Sequence, residues 1–451
     1  MSRHFSHPPA NRQWAAELFL PVALLLLALL TAAAYWPGLS GPFLFDDFSN
    51  LDALGQYGGV RDLETLRLFI LGSHSGPTGR PLALLTFLLD SNTWPTDPRP
   101  FKVTNLALHL VNGTILFALT RQLLLLSGKL STKRCTFSAL LAAGAWLLHP
   151  FLVSTVLYVV QRMAMLSTLF VLMGLWGYTY GRLQLAEYPR RAYVWMSASL
   201  AGCTILAVLS KENGVLLPLL ALILEFTLLG KHSSTRLNKR WSIIFLWIPA
   251  TLPFAYIAYR TMNGSLVASF MNRSFDVWER LLTESRILFD YLGWWFYPRV
   301  HSPGLLIQNY PLSHSLFDPP VTILAVSEVV SLIMAAVLLH KKYPLFSLAI
   351  LFFFAAHLLE SGPLPLELYF EHRNYLPTIF LFLPLMAALS KPSARYRSLV
   401  IIGPAILMAL ALLTFQRASI WGDIERLADS WADSHPYSQR AQRYSALVAE
   451  A

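Results

Sequence analysis

Residues 14–36 read WAAELFLPVALLLLALLTAAAYW, and residues 37–48 continue as PGLSGPFLFDDF. The first stretch carries one charge, Glu17, and holds the ~20 apolar residues that a helix needs to cross roughly 30 Å of hydrocarbon. It is too long for a secretory leader, and no small-residue cleavage pattern precedes the Tyr35-Trp36-Pro37-Gly38 exit, so a retained first span is expected. A few residues past the exit, two adjacent carboxylates sit among aromatic residues, Phe43-Leu44-Phe45-Asp46-Asp47-Phe48.

Outward from this stretch, apolar runs recur near 103–126, 135–149, 163–180, 192–209, 214–230, 241–259, 321–340, 344–359, 375–390 and 398–415. Together with the first they make about eleven transmembrane helices. Composition agrees. Of 451 residues, 55% are hydrophobic and 13% charged, about half the soluble norm of roughly 25%. The mean hydropathy is +0.49. Such a chain would expose too much apolar surface to stay dispersed in water. The expected fold is an all-α polytopic membrane protein, which excludes a cytosolic enzyme, a disordered chain and a secreted disulfide scaffold. Residues 1–415 are expected to form one membrane domain and 416–451 a short helical tail. Cys135 and Cys203 lie in apolar stretches and read as packed free thiols.

The net charge of +10 gives a pI near 9.6, which in a soluble domain would suggest nucleic acid. Here bases concentrate in short loops, among them Lys129, Lys133 and Arg134; Arg190 and Arg191; Lys341 and Lys342; and Lys391 and Arg395. The positive-inside rule puts these loops and the N-terminus in the cytoplasm. Two long outer loops, about 37–102 and 260–320, and the C-terminal tail then face outward. Residues 276–297 alternate apolar residues with Asp276, Glu279, Arg280, Glu284, Arg286 and Asp290. Central charges cost about 2.5–3.5 kcal/mol each on insertion, so this segment is expected to lie at the outer interface as an amphipathic helix.

Polar residues collect at that outer depth. His74 and Arg80 close the first loop, and Asn105 and His109 begin the second span. His149-Pro150 ends the third, and Arg162 starts the fourth. Lys211-Glu212-Asn213 forms a tight turn, and Glu371-His372-Arg373-Asn374-Tyr375 precedes the tenth span. In an acidic pair each group raises the other's proton affinity, which suits one of them to take a proton from a hydroxyl. The same pair can equally cap an interfacial helix. Cations at this depth suit an anionic lipid headgroup, Arg as a fork and Lys as a point charge; snorkelling to ordinary phospholipid is the plainer account of any one of them. Short outer turns normally avoid bases, so Arg162, Lys211 and Arg373 together favour the headgroup. The sequence holds no Walker loop, dinucleotide glycine fingerprint, zinc spacing or nucleophile elbow.

In their order along the chain these motifs resemble the GT-C class of membrane glycosyltransferases. They are Phe43-Leu44-Phe45-Asp46-Asp47, Arg80-Pro81-Leu82, Asn105 with His109, Leu148-His149-Pro150, Tyr158-Val159-Val160-Gln161-Arg162, Lys211-Glu212 and Glu371-His372-Arg373-Asn374-Tyr375-Leu376-Pro377. The nearest likeness is to the transmembrane and tetratricopeptide-repeat O-mannosyltransferases and their bacterial relatives, over roughly residues 35–445. Arg417 to Asp423 and His435 to Tyr444 resemble the link into that family's outer repeats, and a form without those repeats is expected. A short, repeat-less chain of this kind resembles the bacterial pilin arabinosyltransferases.

The resemblance implies a polyprenyl-phosphate-linked sugar donor and a hydroxyl acceptor on protein Ser or Thr, such as pilin, at the periplasmic face of a bacterial inner membrane. It implies Asp46 or Asp47 as base, with Arg373, Arg162, Lys211 and His372 at the donor phosphate. His74, Arg80, His149, Asn105, Glu371 and Tyr375 would line the pocket. Membrane lipids are the other expected partners, and nucleic acid is not one. No cofactor is expected, a divalent metal between the acids and the phosphate being the disfavoured alternative. The rival readings are transfer to a lipid or polysaccharide, and a lipid-linked sugar flippase.

Overall fold

With no water in the bilayer core to satisfy backbone groups, an apolar run there must close its own hydrogen bonds, and a helix does so. The structure, a computed structural model, describes residues 10–72, 76, 78–232, 235–301, 305, 310–391, 394–434 and 438–450. Among them eight helices are long and apolar enough to cross a membrane: Leu20–Ser40, Pro98–Leu126, Val159–Gln184, Pro189–Ser210, Glu212–Leu229, Lys239–Met262, Val321–Leu339 and Val400–Trp421. Thr132–Leu147 and Pro150–Leu157 make a ninth if taken as one span bent by 49°. The bend falls at His149, which Pro150 forces into an extended conformation (φ −79°, ψ 122°). The chain is thus an all-helical, multi-pass membrane protein.

Helix length does not reach the expected eleven. Pro344–Ala356 is apolar but covers only 13 residues. Residues 375–382 run as turns before a seven-residue helix, Leu383–Leu389. Pro377 and Pro384 punctuate this stretch, and the Thr378 hydroxyl donates to the Asn374 carbonyl at 2.7 Å.

Val159–Gln184 and Pro189–Ser210 form a close antiparallel hairpin. Small residues permit the approach: a Cβ on Gly177 would meet Ser199 Oγ at 2.3 Å. The first long loop carries short helices Asp46–Leu51, Leu63–Leu71 and Pro81–Phe87. The second carries Val277–Phe296, opened by a capping box between Asp276 and Glu279. Arg280 and Glu284 of this helix are buried against the protein rather than set at a polar surface, while Trp278 and Phe296 are exposed. Their mutual pairing at 2.9 Å removes the insertion penalty that isolated charges carry. The tail folds as two helices, Ile424–Ser434 and Gln439–Ala449. Leu427, Trp431 and Ala441 of that tail join the main hydrophobic core.

Candidate functional site

The chain leaves the first span through Trp36–Ser40 and turns sharply at Phe45, whose φ of +31° is a strained value for a side-chain-bearing residue. Aromatic packing holds that turn. The Phe45 ring stacks on Trp431 at 5.8 Å and lies 5.3 Å from Tyr444, both from the tail helices. The next two residues separate completely in environment. Asp47 is fully buried, and its carboxylate accepts the Leu44 N–H at 2.9 Å and the Val160 N–H at 2.7 Å. Burial pushes its pKa up to about 7, against the pull of those two amides and of Lys102. The Lys102 ammonium is itself buried, with no hydrogen-bond partner among the described residues. Asp46 is exposed, and its backbone N–H donates to Tyr158 Oη at 2.8 Å.

A second polar group gathers from four parts of the chain. Lys211 Nζ lies 2.5 Å from Glu360 Oε1. Arg80, in a left-handed conformation before Pro81, forks onto Glu212 at 2.9 and 3.1 Å. Arg373 is held by the Leu368 and Glu367 carbonyls at 2.8 and 2.5 Å, with Glu284 at 3.7 Å. His372 is held well below the usual histidine range by burial, then by the field of Lys211. Burial works to raise the Glu360 pKa, but Lys211 and Arg373 prevail and bring it down to about 2. A small cavity opens among Ser167, Thr168, Lys211, His372 and Arg373.

Other expected site residues are placed in the framework. Arg162, expected at the phosphate, is instead buried in a clasp. Its guanidinium donates to Asn105 Oδ1 at 2.7 Å and to the Thr86 and Phe101 carbonyls at 2.8 Å, and it pairs with Asp90 at 2.6 Å. Four protein partners leave that fork little to offer a ligand. Asn105, the other half of the clasp, also donates to the Val156 and Val159 carbonyls at 3.2 and 3.3 Å. Both His149 nitrogens are engaged, by the Trp295 carbonyl at 2.9 Å and the Phe151 N–H at 3.2 Å. Its ring stacks on Trp295 at 3.9 Å. Tyr375 bonds His109 at 2.9 Å and Asn112 at 3.1 Å deep in the bundle. Glu371 pairs with Arg417 from the last long helix. His74 lies outside the described residues.

One segment joins the acid pair to the cations. Tyr158 and Val160 hold Asp46 and Asp47, Met163 Sδ receives Arg80 Nη1 at 3.3 Å, and Ser167 and Thr168 line the cavity with Lys211 and Arg373. From Arg162 to Thr168 the helix rises by about 9 Å. The two groups therefore share one wall but touch different stretches of it. Glu360 and Asp90 are not marked by the sequence pattern, and Arg280 and Glu284 stand out there only as charges of the 276–297 helix, not as members of a site. The trace Glu360 leaves is its place as an acid in a short turn next to Ser361-Gly362-Pro363. Among the described residues no three His, Cys, Asp or Glu side chains come together as a metal-holding group.

Comparison with known proteins is consistent with this architecture. A stretch of 197 residues, 42% of the chain, is 28% identical to the mouse protein O-mannosyl-transferase TMTC3 and takes in 20% of that protein. The chain thus spans about a fifth of the length of the curated relative it matches. No protein-family model matches the chain, and no solved structure does.

Proposed function

We propose that this chain is a membrane glycosyltransferase that moves a single sugar from a polyprenyl-phosphate donor to a hydroxyl acceptor. The acceptor is a Ser or Thr of a protein such as pilin, met at the periplasmic face of a bacterial inner membrane. The observation that carries the reading is the shared wall 158–168, with an exposed carboxylate at one end and a buried cation group at the other. Likeness to a protein O-mannosyl-transferase supports it.

Of the two acids, Asp46 is proposed as the base. Asp46 is an exposed residue, whereas both oxygens of Asp47 are occupied by backbone amides. Asp46 takes the acceptor proton, and the acceptor oxygen attacks the anomeric carbon from the face opposite the phosphate. The bond from that carbon to the phosphate oxygen breaks with inversion. Charge grows on the departing phosphate, so fixed cations help the transition state more than the ground state. Lys211 and Arg373 fill that role, with Arg80 behind them, and His372, kept uncharged by burial, adds a hydrogen-bonding group beside them. A phosphate leaving group needs no proton at neutral pH, so one general base suffices.

The test is transfer from a synthetic polyprenyl-phosphate sugar by purified wild type and Asp46→Asn. Wild type should glycosylate a Ser/Thr peptide, detected as a mass increment, and Asp46→Asn should lose at least 100-fold in turnover, within the range of general-base effects of ~10²–10⁴. Equal turnover by the two proteins removes Asp46 from the chemistry. A product formed only on lipid or polysaccharide replaces the protein acceptor in this reading.

A further inference from the structure

We propose that the opposite end of the bundle carries a binding site for the headgroup of an anionic glycerophospholipid. It is independent of the glycosyl-transfer reading. Helix Pro98–Leu126 starts beside the acid pair, with Lys102 facing Asp47, and runs away from it for about 36 Å from Lys102 to Leu126. Just past its far end lies a cavity of about 160 Å³. Three elements that are distant in sequence close around it: the turn after Leu126, the turn before Pro344, and the end of helix Leu383–Leu389.

Each of the three supplies a lysine. Lys129, Lys342 and Lys391 all line the cavity and all are exposed, and no Asp or Glu is among its lining residues. The neighbouring residues 392–399 carry no acid either. Most of the lining is apolar, with Leu130, Phe346 and Pro384 forming walls. Helix Pro344–Ala356 begins at the cavity, and after Pro344, which has no N–H, the next two residues of its first turn, Leu345 and Phe346, are both in the lining.

A cluster of positive charge over an apolar wall, where apolar helices end, matches one chemistry. The phosphate sits among the ammonium groups while acyl chains follow the apolar side, and basic pockets between membrane helices bind anionic lipid in this way. Inorganic phosphate would make no use of Leu130, Phe346 and Pro384. A zwitterionic lipid would bring its own cation against three lysines.

The experiment uses full-length protein purified in mild detergent. Native mass spectrometry follows retention of added phosphatidylglycerol, phosphatidylcholine or inorganic phosphate. Two triple variants are compared: Lys129→Gln/Lys342→Gln/Lys391→Gln, and a charge-matched control at exposed bases elsewhere, Arg190→Gln/Arg191→Gln/Arg240→Gln. Wild type and control should retain phosphatidylglycerol at least tenfold over phosphatidylcholine. The lysine variant should lose that preference by at least tenfold, within the roughly hundredfold that three surface cations can supply together. Wild type that holds both lipids equally, a lysine variant that matches the control, or phosphate that displaces the lipid at millimolar concentration would each overturn the proposal. The wild-type selectivity stands or fails by itself, so poor folding of the variant cannot rescue the idea.

Discussion

Lys211 Nζ lies 2.5 Å from Glu360 Oε1, so the cation best placed to meet a phosphate is already matched by a carboxylate. An incoming phosphate must compete with Glu360 for Lys211. Replacing the carboxylate by a neutral isostere removes that competition, so Glu360→Gln is expected to bind a polyprenyl-phosphate donor at least fivefold tighter. Lys211→Met is expected to weaken it by a similar factor or more. Isothermal titration with a short-chain donor checks both, and unchanged affinity in both variants takes the pair out of the donor site.

The same pair predicts a pH dependence. The folded Glu360 pKa, about 2, lies below its ordinary 4.5. Its stabilisation is therefore fully present above about pH 4.5 and is lost as pH falls from there toward 2. Asp47 and Glu284, both raised to about 7, run the other way: the folded state binds more protons, and their contribution falls as pH rises from about 4 to 7. The difference in melting temperature between wild type and Glu360→Gln isolates the first effect. It should shrink steadily below pH 4.5 and stay level above it.

Asp46→Asn and Asp47→Asn should fail in different ways. Asp46 is exposed, so Asp46→Asn should fold normally and lose turnover. In Asp47→Asn an amide NH₂ is turned toward one of the backbone N–H groups that the carboxylate now accepts. A buried donor left without an acceptor costs about 1–3 kcal/mol. Thermal melts should show the second variant destabilised by that amount and the first unchanged.

Arg162 makes a sharp contrast with Lys211. Arg162→Met leaves the Asp90 carboxylate buried with no cation, at a cost of about 3–5 kcal/mol. The expected result is a marked loss of melting temperature, with donor affinity per folded molecule retained. A stable Arg162→Met protein that fails to bind donor would return Arg162 to the phosphate.

Much of the fold was legible because hydropathy is a sum over ~20 residues and tolerates local error. It failed where proline and polar side chains interrupt an otherwise apolar run, as at 375–382, where Tyr375 is held by His109 and Asn112. Which polar residues interrupt the apolar pattern was readable in the sequence; what each of them contacts was not. Sequence order places Arg162 and Lys211 alike near one membrane depth, yet only three-dimensional packing brings Asp90, Thr86 and Phe101 onto the first and leaves a cavity beside the second. Likewise, adjacency made Asp46 and Asp47 look equivalent, whereas one turn of backbone at Phe45 puts one outside and one inside.

The clamp of Trp431 and Tyr444 on Phe45 has a practical corollary. Tyr444 touches the residue immediately before Asp46, and only about 9 Å of helix separates Tyr444 from residue 450, where a fused polypeptide would set out. A serine-bearing peptide on a short flexible leash would meet Asp46 at an effective concentration in the millimolar range. With Asp46 as the proposed base, a weakly bound acceptor would then be modified in cis without any recognition module of its own.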